Sequence, residues 1–120
     1  MKEETKKWLK QAEEDYKTAK FNFNGRKYKA AAFFCQQSAE KSLKALLLEK
    51  KGQIRKIHDL VELGKDAGID EGLLDKLKQL TLAYIYSRYP DVQEVSNLKQ
   101  KVSDFLDATN EVLKWVKLNL

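Results

Sequence analysis

"LKQKVSDFLDATNEVLKWVK", residues 98–117, decides the fold. Apolar and small side chains recur there as Leu98, Val102, Phe105, Thr109, Val112 and Val116, at alternating steps of four and three. On a helix of about 3.6 residues per turn those steps return to one face, whereas a half-buried strand alternates at every second residue. The spacing predicts an amphipathic helix over about residues 96–118, and no β-type alternation competes with it.

The same periodicity runs backwards through the chain. Residues 71–89 read as a fourth helix, capped by Asp70 and carrying Leu73, Leu77, Leu80 and Tyr84 toward a core. Pro90, the only proline, biases Tyr89 away from helical geometry and ends it. Within it Leu77, Thr81, Tyr84 and Arg88 form one stripe, so Arg88 continues a largely apolar seam and needs an acceptor or a ligand. Asp59, with Glu62 three residues on, has capping-box spacing and starts a short third helix through "LVELGKDA" to Gly68.

A second helix is expected from about Lys27 to Lys51, ended by Gly52, with "AAAFF" at 30–34 allowing close helix approach. The first, residues 3–24, places Trp8, Ala12, Tyr16, Ala19 and Phe23 on one face, and "NGR" at 24–26 supplies its stop. Short connections between long amphipathic helices favour antiparallel neighbours. The expected fold is all-α: an up-and-down antiparallel helical bundle of four long helices and one short, five in all. With one proline, five glycines and no linker-like stretch, residues 1–120 read as a single domain.

Composition narrows the setting. The single cysteine, Cys35, excludes an intramolecular disulfide, and no clustered His and Cys residues have metal-ligand spacing, which favours a cytoplasmic protein with no metal and no cofactor. No apolar run approaches the ~20 residues needed to span a bilayer, and "MKEETKKWLKQAEEDY" is charged throughout, unlike a signal peptide. Membrane association is not expected. A formal charge of +5 favours encounter with polyanions but falls far short of a polybasic tail.

Helix two carries two polar lines, Gln36, Glu40 and Lys44 on one, Gln37, Lys41 and Lys44 nearly on another. Spacing alone does not say which faces inward, or whether either is more than a solvated face. His58, the only histidine, precedes Asp59; near a helix N-terminus it would assist phosphate binding or transfer protons, or simply bond a loop carbonyl. Arg88 in a last turn also suits the negative end of a helix, and Asp91 suits a turn after Pro90. Tyr84, Tyr86 and Tyr89 would stack bases or fill a core. Trp8, Leu9, Trp115, Leu118 and Leu120 would close one end of the bundle or form an apolar patch.

"FFCQQSAEKSLKALL" at 33–47, "IHDLVEL" at 57–63 and "SRYPD" at 87–91, in that order and with these separations, resemble the HEPN domain family. The resemblance covers essentially the whole chain. It implies a five-helix bundle, commonly a homodimer, often with a small nucleotidyltransferase as partner in a toxin–antitoxin-like pair, and named for presumed nucleotide binding. It carries over Gln37, Glu40, Lys41 and Lys44, His58 in the following loop, and Arg88, Tyr89, Pro90 and Asp91. On this reading Gln37, Lys41, Lys44, His58, Arg88, Tyr89 and Asp91 bind a nucleotide or RNA phosphate, and Arg88 points into a polar groove, paired with Glu40 or Asp91 when the groove is empty.

One departure bears on mechanism. Many members of the family are metal-independent ribonucleases with an arginine followed, after four to six residues, by a histidine. Here the positions five to seven after Arg88 are Gln93, Glu94 and Val95, and Arg55 with His58 is too closely spaced to substitute. Metal-free RNA cleavage needs a proton acceptor and donor and a cation for the phosphorane. Arg88 would supply the cation, and His58, or Glu40 with a raised pKa, would be the base. The sequence therefore predicts a non-catalytic binding module, with a ribonuclease built on His58, Arg88 and Glu40 as the alternative and a purely structural polar set as a third reading.

Overall fold

The computed structural model describes residues 1–90 and 97–120. Five helices follow in order: α1 (Glu3–Asn24), α2 (Tyr28–Lys51), α3 (Leu60–Ala67), α4 (Glu71–Arg88) and α5 (Leu98–Asn119). No strand occurs among the described residues. The expected all-α bundle of four long helices and one short is what forms.

Local chemistry sets the boundaries. Asp59 caps α3 by accepting from the N–H groups of Val61 and Glu62 at 3.0 and 3.2 Å, and Asp70 caps α4 by accepting from Leu73 N–H at 2.9 Å. Gly52 and Gly68 close α2 and α3 in the left-handed region, with φ of 72° and 76°. The first turn ends α1 at Asn24, within the expected "NGR" stop. Gly25 keeps a negative φ of −83°, and Arg26 takes the left-handed position at φ 62°. A β-carbon there costs about 1–2 kcal/mol, so the α1–α2 turn does not use its glycine where glycine would be cheapest.

The second helix runs for about 36 Å at ~1.5 Å per residue and packs against all four others. Contacts of Lys2 with Glu49 at one end and of Phe23 with Tyr28 at the other set α1 antiparallel to α2. The Lys117–Glu13 pair, with Asn24 and Ser103 lining one pocket further along, sets α5 antiparallel to α1, and Lys76–Glu111 with Tyr86–Phe105 sets α4 antiparallel to α5. The bundle is therefore up-and-down, with α3 inserted between α2 and α4.

Every residue of the predicted α5 stripe reaches the core; Val102, Thr109, Val112 and Val116 are fully buried and Leu98 packs at its edge. On α4 the core takes Leu77, Leu80 and Ala83, while Tyr84 stays 40 % exposed. The expectation that Tyr84 points into the core is corrected: the seam leaves the core after Leu77, and Tyr84 faces a cleft. Trp8, Leu9, Trp115 and Leu120 are partly covered, whereas Leu118 stands alone in solvent, so these residues close an end of the bundle. Gly64 of α3 comes so close to Leu77 of α4 that a β-carbon would collide with its side chain, which fixes how tightly α3 lies against α4.

Cys35 is fully buried on α2, facing α5. Burial pushes its thiol up to about 12, a rise only partly offset by a hydrogen bond with Thr109. Since the thiolate is the reactive form, Cys35 is expected to resist a disulfide reagent in the native protein and to react fully once urea unfolds it. Rapid stoichiometric labelling without denaturant would show that the α2–α5 contact opens readily.

Candidate functional site

Of the two polar lines on α2, the one facing inward is Gln36, Glu40 and Lys44, at 3 %, 5 % and 5 % exposure. A carboxylate buried so deeply needs partners on both oxygens. Gln36 Nε2 donates to Glu40 Oε1 at 2.9 Å, while Lys44 Nζ at 3.1 Å and His58 Nδ1 at 3.0 Å share Glu40 Oε2. Burial alone would raise the Glu40 carboxyl. The hydrogen bonds from His58, Gln36 and Lys44 outweigh it, so the net shift is below the ordinary carboxylate value. Glu40 is thus ionised and unsuited to accept a proton near neutrality, which overturns the expectation of a Glu40 base with raised pKa.

His58 is reached by the loop between Gly52 and α3 and remains largely exposed. Since an ionised carboxylate only accepts, Nδ1 donates to Glu40 and Nε2 is left for solvent or ligand. Asp59, next in sequence, already accepts from the first N–H groups of α3, so that helix end is occupied by a carboxylate and offers little to a phosphate. Arg55 pairs with Asp66 and holds the loop onto α3.

Arg88, in the last turn of α4, lays its guanidinium over the Tyr84 ring, 3.9 Å from the centroid. Its expected ion pair with Glu40 does not form, because Lys44 and His58 take that carboxylate; the alternative partner, Asp91, lies outside the described residues. Between α2, the loop and α4 opens a cleft of about 340 Å³ lined by Gln36, Gln37, Glu40, His58, Thr81 and Arg88, with Tyr84, Asp59 and Leu60 completing it. Gln37 Nε2 donates to Gln36 Oε1 at 2.8 Å.

The cleft therefore unites Gln37, Glu40, His58 and Arg88 of the predicted set. It does not include Lys44, which is buried behind Glu40 with its ammonium 5.9 Å from the Trp8 ring. Nor does it include Lys41, which turns to α1 and pairs with buried Asp15 at 2.6 Å, Gln11 donating to the other oxygen at 2.9 Å. Tyr89 caps α4 and is exposed at 54 %, and Tyr86 packs against Phe105. Sequence reading missed Asp15 as the partner of Lys41. The signal was present: Asp15 sits three residues after Ala12 and four before Ala19, on the buried face of α1. Among the described residues no three His, Cys, Asp or Glu side chains gather as metal ligands.

The described residues thus form a small all-α bundle of five helices whose second helix buries a carboxylate beside a polar cleft lined by a histidine and an arginine. The family profile for the HEPN domain matches residues 5–119, and the chain belongs to the HEPN family. It is similar to the crystal structure of TT1696 from Thermus thermophilus, at 29 % identity and TM-score 0.84 over 97 % of this chain and 98 % of that one. It is also similar to ST0689, described as an archaeal HEPN homologue, at 30 % identity and TM-score 0.73 over 98 % and 97 %. No curated protein matches the chain. No helix among the described residues is long and apolar enough to cross a membrane.

Proposed function

We propose that the protein is a non-catalytic HEPN module whose α2–α4 cleft holds a phosphate of a nucleotide or RNA. The observation that carries this reading is Arg88, its guanidinium over the Tyr84 ring at the cleft wall while the buried carboxylate of Glu40 is satisfied by Lys44, Gln36 and His58. Among the described residues the guanidinium has no ion pair, and its fork of donors suits an incoming anion.

Calorimetry with adenosine and uridine monophosphates tests the proposal. Wild type is expected to bind, and Arg88→Ala to lower the affinity tenfold or more. Identical isotherms for wild type and Arg88→Ala would end the proposal. A homodimer with a small nucleotidyltransferase as partner belongs to the same reading. Leu82, Ile85 and Tyr89, exposed at helical spacing on α4, and exposed Phe33, one turn before Gln37, supply apolar surface beside the cleft for a second copy.

One observation favours the ribonuclease alternative. His58 is oriented by Glu40 through Nδ1 with Nε2 left open, which is how a carboxylate sets an imidazole to take a proton. Incubation with labelled single-stranded RNA and tRNA in EDTA separates the readings. Cleavage lost in both His58→Ala and Arg88→Ala would establish the enzyme, and binding without cleavage the module.

A further inference from the structure

The helices α1 and α4 occupy opposite corners of the bundle, since α2 and α5 each pack against both. The α1–α5 surface is therefore the face opposite the α2–α4 cleft. A groove of about 240 Å³ runs along it, walled by Lys17 and Lys20 of α1 and by Lys114 and Lys117 of α5. Lys117 pairs with Glu13 at 2.6 Å. Lys17, Lys20 and Lys114 have no carboxylate within 4.0 Å among the described residues. Four lysines against one glutamate leave three positive charges on this wall, of a formal +5 for the chain.

Tyr16 lines the groove and also its continuation toward Asn24 and Ser103, where Asp107 stands on the α5 side. From Glu13 to Asn24 the groove follows α1 for about 16 Å. Lys20 lies over the Tyr16 ring, 4.8 Å from the centroid. Cations along a groove with an aromatic ring in its lining are the arrangement that tracks a single-stranded backbone while tolerating any base. We infer that the α1–α5 groove binds the phosphodiester backbone of a single-stranded polynucleotide, through Lys17, Lys20, Lys114 and Lys117.

This inference does not depend on what occupies the α2–α4 cleft. Fluorescence anisotropy with labelled oligo(U) and oligo(dT), at several salt concentrations, tests it on four proteins. They are the wild type, Arg88→Ala, a Lys17→Gln/Lys20→Gln/Lys114→Gln variant, and a control of equal charge, Lys50→Gln/Lys65→Gln/Lys78→Gln. The groove variant is expected to lose tenfold or more in affinity for both oligonucleotides, or for oligo(U) alone if the 2′-hydroxyl is read. Its slope of log K against log salt should fall by about two, at ~0.7 per phosphate lost. The control should bind as wild type does.

An equal loss in the control would assign the binding to net charge and overturn the inference. So would wild type that binds neither oligonucleotide, or a groove variant that binds both unchanged. Sedimentation with phosphatidylserine vesicles, positive where both oligonucleotides fail, would replace the polynucleotide with a membrane surface. Loss of oligonucleotide binding in Arg88→Ala alone, with the groove variant intact, would place it in the cleft instead.

Discussion

Lys44→Met is expected to destabilise the protein by about 3 kcal/mol, read from urea denaturation at neutral pH. Lys44 and Glu40 are each 6 % exposed in their side chains and 3.1 Å apart. Removing one member of a buried pair typically costs about 3–5 kcal/mol, because the other charge is left without its counterion. The lower end applies because Glu40 keeps hydrogen bonds from Gln36 and His58. Glu40→Gln combined with Lys44→Met removes both charges and should recover most of the loss. A single substitution costing less than about 1 kcal/mol would mean that solvent reaches the pair.

The same carboxylate sets an acid dependence. Its folded-state value lies below the ordinary 4.5, so the folded protein holds fewer protons there than the unfolded chain. The stabilisation is therefore complete above 4.5 and is lost as the pH falls below it through the folded value. Wild type should lose stability in acid faster than Glu40→Gln, and the two curves should converge below pH 4.5. Parallel curves would remove Glu40 from the acid response.

Ala12→Leu is the second large effect, expected at about 3 kcal/mol, the upper end for overpacking a filled site. Ala12, Ala19, Ala31, Ala32 and Ala39 are all fully buried, and the Ser38 hydroxyl donates across to the Ala12 carbonyl at 2.7 Å. A serine side chain spanning the gap to the neighbouring backbone leaves no room for a leucine. Pushing α1 outward would also stretch the Lys41–Asp15 pair. Thermal melts against exposed Glu14→Leu, which should stay within about 0.5 kcal/mol of wild type, isolate the packing term. Equal melting points would show that α1 shifts without cost.

The helices were legible because their signals are local. The four-three stripe on α5, the aspartates before α3 and α4, and the glycines after α2 and α3 act within a turn or two. The turn at Arg26 was not, since Gly25 stood next to it and only the path of the chain decides which residue takes positive φ. At the cleft, spacing placed Gln36, Glu40 and Lys44 on one line, and Gln37 and Lys41 beside it. It could not say that α1 would present Asp15 to Lys41, or that Lys44 would sit behind Glu40. Which neighbour covers a helix face is a tertiary fact. The stripe through Arg88 does not continue the apolar seam: after Leu77 its members Thr81, Tyr84 and Arg88 are exposed and line the cleft.

The loop from residue 53 to residue 59 lies against α2 through His58 and is held to α3 by Arg55. Lifting it would hydrate Glu40 while breaking, of the helical bonds, only those that Asp59 makes to the first turn of α3, a sub-global opening separate from global unfolding. Amide exchange at Val61 and Glu62, whose N–H groups Asp59 holds, should then report the free energy of uncovering the cleft, while the middle of α2 reports that of the whole fold. The difference between the two is the energetic room within which a ligand can close the site.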